Sequence, residues 1–187
     1  MFTRSTLAAA LLAGLMSAGA QAAAPTISGQ FGSGSTAGTV AAESYSFIGG
    51  AENWSFWTFK ADFLSEVSIT VTPTDPTLDV IFGIWYGVES DTANYFDLGS
   101  SSLTTMFVTG ADGTPSNPFA GAGEAASASF FNDYGNGLFV LAIADYSDNV
   151  GVGQLGYTIT ASVPEPETYA LLLAGLGLIG AAARRRA

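Results

Sequence analysis

The chain has 187 residues, a length that suits one domain plus targeting segments. It contains no cysteine and no histidine, which excludes disulfides, zinc–thiolate and iron–sulfur sites, cysteine nucleophiles, the Ser–His–Asp triad and the usual histidine-based metal sites. The net charge is −11, and with Arg4, Arg184, Arg185 and Arg186 at the two ends, Lys60 stands alone against fourteen acidic residues in the body, so nucleic-acid binding through a basic patch is excluded as well.

Residues 1–22 read as a signal peptide. Arg4 supplies a positive start, residues 7–16 are apolar, and Ala20-Gln21-Ala22 is an A-x-A cleavage site for signal peptidase. The apolar run is shorter than the ~20 residues a bilayer-spanning helix needs. Residues 23–43, with the small and polar run GQFGSGSTAG, predict a flexible lead-in.

Residues 44–163 predict an all-β domain. Short runs of Val, Ile, Thr and aromatic residues are separated by Gly, Asp, Asn, Ser and Pro, with no sustained helical period. Residues 54–61 put Trp57, Phe59 and Ala61 on one face and Thr58 and Lys60 on the other. Val67, Ile69 and Val71 alternate with Ser68, Thr70 and Thr72, and Pro73 and Pro76 then enforce a turn through Asp75. Residues 78–85 are apolar on both faces, as in a covered central strand. Residues 103–109 read as a weaker strand, 110–123 as a long loop, and 127–131 as a short edge strand. Residues 138–144 form a strongly apolar strand, and 157–163 alternate again. Seven to nine antiparallel strands fit a β-sandwich or jelly roll, flanked here by an N-terminal signal helix and a C-terminal hydrophobic sorting helix.

Residues 164–187 hold Pro164-Glu165-Pro166, an apolar run over 169–183, and Arg184, Arg185 and Arg186. As a helix the run covers about 22 Å at ~1.5 Å per residue, short of the ~30 Å hydrocarbon core, while the arginines hold the C-terminus inside. A plain single-span anchor is the alternative. The order of polar motif, apolar helix and basic end resembles the PEP-CTERM family, whose tails start with Val-Pro-Glu-Pro and close with an arginine cluster. The resemblance implies recognition of Pro164, Glu165 and Pro166 by exosortase, a membrane-embedded transpeptidase, after transient anchoring in the inner membrane. Family members occur in Gram-negative bacteria that make exopolysaccharide.

Within the body, residues 54–62, 66–85 and 137–163 resemble the bacterial pre-peptidase C-terminal type of domain, a jelly-roll β-sandwich on secreted proteins. The resemblance implies a binding or accessory module rather than a catalytic one, and it lapses over residues 87–136.

Three kinds of site follow from the residues. Asp75 and Asp79 around the proline turn, with Asp145 and Asp148 at the end of the strongest strand, supply carboxylates for calcium if the two turns share one end of the sandwich. The alternative is that each caps its own turn. Trp54, Trp57, Trp85, Tyr86, Tyr95 and Tyr146 supply rings for sugar stacking or for the core, with Trp54 and Tyr86, next to turns, expected at the surface. A glycoside hydrolase would need two carboxyl groups ~5–9 Å apart, and no motif singles out such a pair. The expectation is therefore a non-enzymatic cell-surface or matrix protein of a biofilm, associated with exopolysaccharide, with no cofactor. The alternative is a carbohydrate- or calcium-binding module.

Overall fold

The computed structural model describes residues 24–45, 51, 53–89, 92–95, 105–146 and 151–163, together with positions 175, 176, 179 and 184. The signal-peptide reading, with Ala20 and Ala22, and the motif residues Pro164, Glu165, Pro166, Arg185 and Arg186 lie outside the described residues. Positions 175, 176, 179 and 184 are helical.

Nine strands are present among the described residues: β1 (Ile27–Gln30), β2 (Gly34–Ala41), β3 (Ser55–Lys60), β4 (Glu66–Pro73), β5 (Val80–Tyr86), β6 (Met106–Ala111), β7 (Ala126–Phe131), β8 (Leu138–Asp145) and β9 (Gln154–Ser162). They form two sheets, of order β1-β3-β8-β5-β6 and β2-β9-β4-β7. Every successive link except β5 to β6 changes sheet, so the sheets are stitched face to face into a sandwich. The pairings are antiparallel with one exception: β1 runs parallel to β3.

The alternation in β4 and β9 works as predicted. Val67, Ile69 and Val71 meet Leu155, Tyr157, Ile159 and Ala161 in the inter-sheet core, while the residues between them face outward. The three central strands of the five-stranded sheet are buried on both sides. Phe59, Val80, Phe82, Ile84, Leu141 and Ile143 face the other sheet, whereas Phe56, Ile81, Trp85, Val140, Ala142 and Ala144 face outward, where Tyr45, Ala51, Trp54 and Tyr95 cover them. That second layer explains why β3, β5 and β8 are apolar on both faces.

Residues 23–43 depart from expectation: the flexible lead-in is two strands. Its glycines serve close approach. A Cβ on Gly38 would lie 2.6 Å from the Tyr157 hydroxyl oxygen, and one on Gly29 would lie 2.8 Å from the Trp57 ring. Both glycines make room for large rings from neighbouring strands, a use of Gly that composition cannot separate from flexibility.

Candidate functional site

Asp79, just before β5, and Asp145, the last residue of β8, lie at one end of the sandwich because β5 and β8 pair with Val80 opposite Asp145. Asp145 is fully buried, and one carboxyl oxygen accepts from the Asp79 N–H at 2.8 Å, the other from the Glu43 N–H at 2.7 Å. Its own N–H donates to the Ser44 hydroxyl at 2.9 Å, and its carbonyl accepts from the Tyr45 N–H at 2.9 Å. The Tyr146 N–H returns a bond to the Asp79 carbonyl at 2.8 Å. One side chain thus ties the loop after β2, the start of β5 and the end of β8 together, each of its oxygens accepting from a backbone donor.

Asp75 is not part of this knot. It caps its own turn, accepting from the Thr77 N–H at 2.9 Å and the Thr77 hydroxyl at 2.7 Å. These bonds, backbone first, lower its pKa. Asp148 lies outside the described residues. Among the described residues no three of the residue types that bind metals converge. Of the proposed calcium ligands, the structure brings Asp79 and Asp145 together and leaves Asp75 apart.

The aromatic candidates divide between core and surface. Trp54, expected at the surface, is buried: its indole N–H donates to the Ser44 carbonyl at 3.1 Å and its ring packs on Tyr45. Its ring joins Tyr45, Ala51 and Tyr95 over the outer face of the five-stranded sheet, so a turn position in the sequence becomes part of the second core layer. Trp85 and Tyr95 lie there too, edge to face at 4.8 Å. Burial pushes the Tyr95 phenol up to about 12. Tyr86 is half-buried, stacked on Tyr134 at 5.6 Å and set edge-on to Phe139. Tyr146 retains some exposure against Tyr45.

Two features carry little or no signal in the sequence. The first is the exit of the chain. Val163 is fully buried, and the Ser33 hydroxyl both donates to its carbonyl at 2.6 Å and accepts from its N–H at 2.9 Å. The partners are 130 residues apart, so no local signal marks the clamp. It fixes the last residue before Pro164.

The second is a cleft of about 470 Å³ where the edge strands β6 and β7 come side by side, closed at one end by the loop that joins them. Thr109, Asp112, Thr114, Ser127 and Ser129 line it, with the Phe119 ring at the lip, 83% exposed. Asp112 is half-buried, which raises its pKa, and its carboxyl group takes no hydrogen bond from a described residue. The available signal was a lone Phe inside a Gly- and Pro-rich loop.

Residues 162–186 match the PEP-CTERM protein-sorting motif. The chain carries a PEP-CTERM sorting tail. The motif marks an exported protein that is anchored transiently in the membrane and sorted by exosortase. It starts on Ser162, the last residue of β9, so the sorting signal begins where the Ser33 clamp ends the domain. Among the described residues no helix is long and apolar enough to cross a membrane.

No curated protein matches the chain. Among solved structures it is similar to CorA, a surface-associated copper-binding protein important in copper acquisition by Methylomicrobium album BG8. That likeness has 15% identity and a TM-score of 0.57, covering 76% of this chain and 100% of that one. It shows a shared β-sandwich fold. The pre-peptidase C-terminal domain of a Bacillus anthracis collagenase is similar at 14% identity and a TM-score of 0.43, over 74% of this chain and 98% of that one. The copper-binding secreted protein MopE of Methylococcus capsulatus is similar at 12% identity and a TM-score of 0.42, over 77% and 92%.

Proposed function

We propose that the domain is a non-enzymatic component of the extracellular matrix, released outside the cell by removal of its tail and held there with exopolysaccharide. The observation that carries this reading is the junction at Val163. The clamp from Ser33 completes the sandwich before the first residue of Pro164-Glu165-Pro166, so cutting at that motif leaves both sheets whole. At the other end, cleavage by signal peptidase after Ala22 leaves four residues ahead of β1, and the parallel β1–β3 pairing forms undisturbed. The mature domain is then residues 23–163, an acidic unit that stays soluble by self-repulsion.

Mass spectrometry of the protein recovered from the culture medium tests this. The expected mature form begins at Ala23, ends near residues 164–166 and co-elutes with exopolysaccharide on size exclusion. A form that keeps Arg184–Arg186 and stays in the inner membrane would refute sorting and release together. A processed form that elutes as free protein would refute the association with polysaccharide alone.

Calcium binding remains the alternative reading for the end of the sandwich that holds Asp79 and Asp145. It requires a rise in Tm with millimolar calcium. Copper is not part of either reading, because the imidazole and thiolate ligands it favours are missing from the whole chain.

A further inference from the structure

The cleft between β6 and β7 combines a cavity, a rigid wall, an exposed ring and acceptors facing inward. Its volume of about 470 Å³ falls within the ~300–1,000 Å³ of small-molecule sites. The wall is held by backbone bonds: Thr114 and Asn117 exchange N–H and carbonyl at 2.9 and 3.0 Å, and the Ala120 N–H bonds the Asp112 carbonyl at 2.8 Å. Asn117 also donates through its side chain to Glu124 at 2.8 Å. Gly113 sits inside this wrap, where a Cβ would lie 2.1 Å from the Asn117 carbonyl oxygen. Single exposed apolar residues are ordinary on protein surfaces. Phe119 differs because these bonds, at Asn117 and Ala120, hold the backbone on either side of it beside a polar cleft.

We propose that this cleft is a subsite for an uncharged sugar residue of a polysaccharide, with the Phe119 ring against the sugar's C–H face and the Asp112 carboxyl group accepting from its hydroxyls. The chemistry of the lining selects that ligand. The Thr109 and Ser127 hydroxyls can donate and accept, as a polyol requires, while that of Thr114 already bonds Ser116 and Asn117 and that of Ser129 already donates to Ser68. The ring offers a flat apolar face, which stacks on sugars as it does on bases. A body with fourteen acidic residues and one lysine repels uronate and sulfated glycans. A peptide adding a strand to β7 would need its edge, yet the Ser127 N–H already bonds the Gly113 carbonyl at 2.7 Å. A wall already ordered in this way limits the entropy lost when a flexible glycan binds.

The inference rests on the proposed association with exopolysaccharide and names the contact within it. The test is calorimetric titration of the processed extracellular protein with neutral gluco-, manno- and galacto-tetrasaccharides, an alginate tetrasaccharide and a proline-rich peptide. At least one neutral tetrasaccharide is expected to bind, with affinity reduced about tenfold by Phe119→Ala and several-fold by Asp112→Asn. Tyr86→Ala should bind as the parent does, and Tm should be unchanged in the Phe119 and Asp112 variants. Binding of no neutral sugar, equal binding of alginate, preference for the peptide, or parent-like affinity in both cleft variants would each overturn the assignment. If the parent and both variants co-elute equally with exopolysaccharide, the cleft is wrong and the matrix reading stands. If the parent does not co-elute, the matrix reading itself fails.

Discussion

Replacing Tyr157 with Phe removes one oxygen from the centre of the sandwich. Tyr157 is 1% exposed, and its hydroxyl receives the Trp57 indole N–H at 2.7 Å and bonds the Ser55 hydroxyl at 2.6 Å. Both partners are on β3, in the opposite sheet, so this oxygen joins the two layers. Without it the buried Trp57 N–H has no other bonded acceptor, whereas Ser55 retains a long contact with Ser28 at 3.4 Å. An orphaned buried donor costs ~1–3 kcal/mol, and the indole dominates, so the expected loss is about 2 kcal/mol. For a domain of about 140 residues, with ~2.1 cal/mol/K of unfolding entropy per residue, that lowers Tm by roughly 7 °C. Thermal unfolding followed by circular dichroism measures the shift, and a cycle with Trp57→Phe isolates the bond. The double variant should be more stable than the two single losses predict, by about 1 kcal/mol. A drop under about 2 °C, or strict additivity, would refute the cross-sheet bond as a source of stability.

Gly38→Ala is expected to destabilise by about 1–3 kcal/mol, because the new methyl meets a phenol ring held in place by its bonds. Were the segment a flexible lead-in, the same change would be neutral or slightly stabilising, so the sign of the shift in urea midpoint decides. Asp145→Asn turns one acceptor into a donor facing the N–H of Asp79 or Glu43, and should cost about 2 kcal/mol or more in urea unfolding, far more than Asp75→Asn in its exposed turn. Alkaline unfolding should reflect the buried phenols. Burial raises Tyr157 and pushes Tyr95 up to about 12, so the native state keeps protons that the unfolded chain releases near its usual tyrosine pKa of about 10. The stabilising contribution is full below pH ~10 and falls as pH rises towards 12. Tyr95→Phe should make Tm fall less steeply over that interval than in the parent, and an unchanged slope would contradict the burial argument.

Much of this was legible along the chain. The tail could be read because targeting segments are recognised as linear strings: Pro164-Glu165-Pro166, the apolar run and Arg184–Arg186 need no folded neighbour to carry their meaning. The strands β4 and β9 were legible because a period of two reports one buried face directly. The turn at Asp75 was legible because proline and a local carboxylate act within four residues.

What needed the tertiary structure was each decision made by residues far apart in sequence. Gly29 and Gly38 read as slack until the rings of Trp57 and Tyr157 arrive above them. Trp54 read as a surface ring until the outer face of the five-stranded sheet receives it beside Tyr45 and Tyr95. Asp145 gave no sign that its oxygens hold the N–H groups of Glu43 and Asp79, and Ser33 gave no sign of holding Val163. Amino-acid type and spacing determine which strands are possible and how the chain is addressed. Which glycine is a hinge, which ring is core and which carboxylate ties loops together depends on contacts that exist only once two sheets have closed on each other.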